Sequence, residues 1–351
     1  MQEKTLTGGR SYYLDIARTI AIISISLNHA VNRTYDNYFG QMAEFLESSY
    51  LSSLLKSVAT VFSHLGVPLF LMISGALLLH KRMETADDVK RFYRHNLLEL
   101  FITAEIWYFI MYWFVFFDGI SSGYWEAGLA DTLLGCVKTM LFLDQITMSS
   151  MWYMPMILCL YTTIPFAAML VKKLSLKALS LPLLLAFLYG MCLPALNSLL
   201  VLRDIPPMDT AVHLFNLCSI YYLYVFVGYF ISQGGLQRLR TGEVAVLTVL
   251  LFALICGYQL YAYSDWVDYL VDYDFPLLLL CAMGLLELLR RGAEHLRGLR
   301  PVVTYLAKIS FGILFIFSSC HYCTGIWISA SGRTCGRCCF WRACPWAAVS
   351  C

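Results

Sequence analysis

Nine runs of apolar residues, each close to the length of a membrane crossing, decide the fold class of this chain before any single residue is considered. A hydrocarbon core of about 30 Å takes about 20 helical residues to span. A backbone in lipid must satisfy its own hydrogen bonds. The runs fall at about 12–32, 57–80, 97–117, 151–171, 178–201, 211–232, 243–263, 271–290 and 301–319. Hydrophobic residues make up 59% of the chain and charged residues 14%, with mean hydropathy +0.66, which excludes an ordinary soluble domain. We expect an all-α, polytopic transmembrane helix bundle of about nine spans. Asp131 to Leu143 is apolar but too short to cross, and reads as an interfacial or re-entrant segment.

The net charge of +2 gives no reason to expect a nucleic-acid partner, but its distribution orients the chain. With Lys4 and Arg10 placed in the cytoplasm, alternate loops collect sixteen Lys and Arg residues, while the opposite loops hold three, Arg33, Lys138 and Arg203. That asymmetry obeys the positive-inside rule at every loop and predicts a cytoplasmic N-terminus. The first apolar run carries Asp15, Arg18 and His29 and no small-residue cleavage site follows it, so a cleavable signal peptide is not expected.

Arg18 and His29 stand eleven residues apart in that run. Eleven helical steps make three turns plus about 20°, and about 16 Å of rise. Both side chains therefore leave one face, Arg18 near the cytoplasmic surface and His29 toward the outer one. Charged and ionisable groups at membrane depth are costly without a polar cavity or partner, which makes the pair a functional-site hypothesis.

The end of the chain departs from this pattern. Seven of thirteen cysteines lie between Cys320 and Cys351. Cys320-x-x-Cys323 and Cys335-x-x-Cys338 have the form of four zinc thiolates, but the pairs lie close together without a helix or strand pattern, so no metal is expected. One permissible codon choice for Ser318 to Cys323 spells His-Leu-Val-Ile-Thr-Val in a shifted frame. We therefore divide the chain into a membrane domain at 1–319 and an aberrant Cys-rich tail at 320–351, with a tenth span displaced by a frame error or truncation.

Three motifs in order carry a resemblance. Tyr13-Leu14-Asp15-Ile16-Ala17-Arg18 with His29, then Gly66-Val67-Pro68-Leu69-Phe70-Leu71-Met72-Ile73-Ser74-Gly75, then Trp152-Tyr153-Met154-Pro155 resemble the acyltransferase-3 family of integral-membrane O-acyltransferases over about residues 10–318. The resemblance implies an all-α fold of about ten spans. It also implies transfer of an acyl group, usually acetyl from cytoplasmic acetyl-CoA, to a sugar or related hydroxyl outside. The expected partners are then membrane lipid and a cell-envelope polysaccharide or other hydroxyl acceptor at the plasma membrane.

Acyl transfer to a hydroxyl needs a base, and His29 is the candidate for that role or for a transient acyl carrier. Arg18 suits the phosphates or carbonyl of a thioester donor, and Asp15, three residues before it, orients it. Arg91 and Arg94 are further donor-binding candidates. Family members often carry two arginines three apart at this point, and one register places Asn96 and Glu99 there instead. His64, Glu105, Trp152 and Tyr153 are candidate substrate contacts, with His213 and Asn216 as weaker polar residues in the sixth span. Packing explains a lone histidine, and an aromatic belt explains the Trp-Tyr pair. The competing function class is a transporter or sensor in which Arg18, His29 and Glu105 line a polar path.

Overall fold

The computed structural model describes residues 11–34, 49–121, 128–143, 152–201, 203–208, 220–264, 271–310 and 312–313. The Cys-rich tail, His213 and Asn216 lie outside the described residues. Every regular element within them is helical: α1 (Tyr12–Thr34), α2 (Tyr50–His64), α3 (Gly66–Leu78), α4 (Ala86–Phe92), α5 (Leu98–Ser121), α6 (Leu129–Met140), α7 (Tyr153–Lys173), α8 (Leu176–Phe187), α9 (Leu193–Val201), α10 (Tyr221–Ser232), α11 (Thr241–Ser264), α12 (Pro276–Gly292) and α13 (300–310). Six stretches among the described residues are long and apolar enough to cross a bilayer: Tyr12–Val31, Tyr50–Leu78, Ala86–Phe117, Tyr153–Lys173, Ala178–Val201 and Thr241–Ala262. The protein is a polytopic membrane helix bundle.

Two spans start earlier than the apolar runs indicate. The second begins at Tyr50, where the Ser49 side chain accepts from Ser52 N, and it includes buried Ser53, Lys56 and Ser57. Ser57 Oγ donates to Cys256 O on α11 at 2.8 Å, so polar residues that interrupt the apolar pattern serve helix packing. The third begins at Ala86 behind a capping box in which Thr85 and Asp88 satisfy each other's backbone amides. A π-helical turn at Tyr93–Leu97 joins α4 to α5 and inserts a residue into the helix register. The segment after the third span is the short helix α6, held to α5 by Tyr112 Oη donating to Thr132 O at 2.9 Å.

The bundle has a centre and a rim. In the second span 72% of the most apolar window is buried, against 22% in the fifth, so α2 and α3 form the core while α8 and α9 face lipid. α3 lies between α1 and α10, α2 lies against α1 and α11, and α12 closes the group against α11, α10 and α1. Small residues set these approaches. A Cβ on Gly75 would strike the carbonyl of Val225, and one on Gly228 would strike the carbonyl of Met72, so α3 and α10 touch backbone to backbone. Gly66 does the same toward Ala21 and Ile25 of α1. On the rim, Phe101, Ile102, Ile106, Phe109 and Ile110 of α5 are exposed, as a lipid-facing surface requires.

Candidate active site

The close contact of α1 with α3 leaves a cavity of about 310 Å³ along one side of both. α1 contributes Arg18, Ile25, Asn28 and His29. Their spacing of seven, ten and eleven residues keeps them on one helical face. α3 contributes Val67, Phe70, Ile73, Ser74, Leu77 and Leu78; α7 contributes Tyr153, Ile157 and Tyr161, with Trp152 just before it. Tyr273, Ala307, Lys308 and Ser310 complete the wall from later in the chain.

Buried polar contacts hold the helices that carry these side chains. Ser24 Oγ, fully buried on α1, donates toward the carbonyls of Phe62 (2.5 Å) and Ser63 (3.1 Å), where α2 ends. Asn28 Oδ1 faces Ser63 Oγ at 3.2 Å. At the other end Asp15, buried on α1, lies 3.4 Å from Arg18 Nη1, and its backbone carbonyl accepts from Thr19 Oγ1 at 2.9 Å. The motif from Gly66 to Gly75 thus has two uses: its glycines permit close packing, and Ser74, whose Oγ donates to Phe70 O at 3.0 Å, lines the cavity together with Tyr161 and Arg18.

Away from Arg18 the lining turns aromatic. The Trp152 ring lies 5.4 Å from Tyr273, 6.0 Å from Tyr221 and 6.2 Å from Tyr153. Tyr273 is fixed by Tyr224 Oη, which donates to its carbonyl at 2.7 Å. Flat rings with polar tips suit the apolar faces and hydroxyl edges of a sugar.

The cavity gathers Arg18, His29, Trp152 and Tyr153 and leaves the other candidates outside its lining. His64 stands one layer behind, its ring 5.7 Å from Tyr273. Its Nδ1–H donates to Thr60 O at 2.8 Å, because a carbonyl can only accept, and the neutral ring therefore keeps its basic nitrogen at Nε2. Glu105 is on α5, with Oε1 buried and no hydrogen-bond partner. Arg91 and Arg94 are both exposed on the third span, and Arg94 borders a separate apolar groove with Leu97, Phe101, Phe142 and Leu158. Asn96 Oδ1 accepts from Lys81 Nζ at 2.9 Å, so the π turn engages Asn96 with the end of the second span.

A family model described as "Acyltransferase domain", that of the acyltransferase-3 family, matches residues 11–333. The chain belongs to the acyltransferase-3 family. No curated protein and no solved structure gives a match. As a membrane acyltransferase, the protein needs a base, a donor contact and an acceptor platform. The wall of one cavity gathers an imidazole, two cationic side chains and several aromatic rings.

Sequence reasoning passed over several of that cavity's residues. Tyr161 and Tyr273 carry no sequence signal, because a tyrosine in or beside an apolar span is ordinary. Lys308 did carry one. It is a cation inside the ninth apolar run, and the argument that singled out Arg18 applies equally to it.

Proposed function

We propose that this acyltransferase takes an acyl group, acetyl in the first instance, from cytoplasmic acyl-CoA and transfers it to a hydroxyl of a cell-envelope glycan or related acceptor outside. The supporting observation is that Arg18 and His29, about 16 Å apart along α1, line one cavity together with Trp152 and Tyr153. Arg18 holds the donor through its guanidinium, and Asp15 keeps that guanidinium in place. His29 removes the proton from the acceptor hydroxyl as it attacks the thioester carbonyl. The C–S bond breaks, the new ester forms, and the thiol leaves with the proton. Trp152 and Tyr153 stack the acceptor. The plasma membrane, with the N-terminus in the cytoplasm, is the setting that places donor and acceptor on opposite sides.

The test uses purified full-length protein, acetyl-CoA, and release of free thiol with and without an added polysaccharide. His29→Ala is expected to abolish both activities while the protein remains folded in the membrane. Arg18→Lys is expected to raise the KM for acetyl-CoA by about tenfold, since a point charge does not reproduce a two-pronged contact. Wild-type rates from His29→Ala would remove the histidine from the reaction.

A further inference from the structure

Lys308 lines the same cavity as Arg18 and His29, from a different helix. α13 runs alongside α1 in the same direction, and three contacts fix their relative level. Tyr12 Oη donates to Leu296 O at 2.6 Å, the Arg300 guanidinium lies 5.6 Å from the Tyr12 ring, and Thr19 Oγ1 donates to Val303 O at 3.2 Å. Lys308 follows Val303 by five residues, about 8 Å of rise, so its backbone lies between the levels of Arg18 and His29.

The electrostatics are one-sided. Arg18 and Lys308 both face the cavity, and no carboxylate lines it among the described residues. Asp15 approaches Arg18 without joining the wall. Lys308 is exposed on α13, so an anion entering the cavity can reach its ammonium directly. The two cations differ usefully: Arg18 offers a planar fork and Lys308 a compact charge on a flexible stem, and together they suit a group with several phosphate oxygens.

We propose that Lys308 and Arg18 form an anion subsite that takes the phosphates of the acyl donor, with Lys308 as a donor-specificity residue. This rests on the acyl-CoA reading above. Purified wild-type, Lys308→Met and Lys308→Arg proteins are compared with acetyl-CoA and with S-acetylpantetheine, which carries the same thioester arm without the phosphates and the adenosine. The expected result is a rise of about tenfold in the KM for acetyl-CoA in Lys308→Met, with kcat within about twofold, and recovery in Lys308→Arg. With S-acetylpantetheine the wild-type and Lys308→Met proteins should be equal. An unchanged KM for acetyl-CoA, or equal losses with both donors, overturns the subsite.

Binding of inorganic pyrophosphate separates the two claims. Pyrophosphate binding that depends on Lys308, in a wild-type protein that never turns over acetyl-CoA, supports the anion subsite and removes the acyl-CoA reading. Turnover of acetyl-CoA with pyrophosphate binding indifferent to Lys308 does the reverse.

Discussion

Asp15 is 3% exposed and its carboxylate reaches Arg18 at 3.4 Å, so a buried acid holds the arginine that faces the cavity. Asp15→Asn keeps the shape and removes the charge. In steady-state kinetics its kcat/KM for acetyl-CoA should fall by about tenfold or more, since a hydrogen bond to a charged group is worth about 1.5–3 kcal/mol. Trp152 has the opposite assignment. Trp152→Ala should raise the KM for a polysaccharide acceptor by about tenfold with donor KM unchanged, and Trp152→Phe should keep most of the binding, because stacking survives with the ring. Arg18 and His29 were legible in the sequence because an ionisable group inside an apolar run is costly unless it meets a cavity or a partner. Tyr161 and Tyr273 were not, since only the packing of α7 and of the turn before α12 brings them to the cavity.

The crossing of α3 and α10 depends on two residues that lack a side chain. Gly75→Leu would push a branched side chain into the backbone of Val225, where no rotamer change relieves the overlap, and we expect a loss of about 3 kcal/mol or more. Thermal unfolding in detergent should show this directly. Gly257 on α11 meets nothing within 4 Å, so Gly257→Ala should be neutral or raise the melting temperature slightly through helix propensity. The end of α12 carries a different device. Glu287, fully buried, accepts from Arg290 Nε at 2.8 Å and Arg291 Nε at 2.5 Å, while Arg291 also donates to the carbonyls of Leu236 (2.7 Å) and Leu239 (2.9 Å). The clasp fastens α12 to the connection between α10 and α11. Glu287→Leu leaves two guanidinium groups without their acid and should cost about 3 kcal/mol or more, read as a lower unfolding temperature. Sequence reasoning counted Arg290 and Arg291 only as cytoplasmic charges; the spacing of three and four from Glu287 was there to be read, but the hydrogen bonds from Arg291 to loop carbonyls have no periodicity to reveal them.

Across the molecule, charge and burial divide the labour. The basic loops are expected to orient the bundle, while the buried central helices line the cavity and α5, α8 and α9 form the exposed rim. A reporter inserted between Arg238 and Arg240 should read as cytoplasmic, and one inserted after Asp204 as external. The same sign at both insertions would overturn the orientation. Six of the nine apolar runs coincide with the six spans among the described residues, but they placed the second and third starts too late, at 57 and 97 instead of Tyr50 and Ala86. Polar residues there are helical because caps and interhelical contacts satisfy them, which a hydropathy count does not register.

Length, apolarity and loop charge were enough to predict a polytopic helix bundle, because lipid admits so few ways to satisfy a backbone. The spacing of Arg18 and His29 was enough to put them on one face of α1, because helical geometry is local. Which other residues meet that face was decided by tertiary structure alone. Gly66, Gly75 and Gly228 allow α3 to lie against α1 and α10, and that approach, with α7, the turn at Tyr273 and α13, encloses the cavity. Lys308 joins Arg18 across nearly three hundred positions of chain for the same reason: a shared wall comes from packing between helices, which no local pattern encodes.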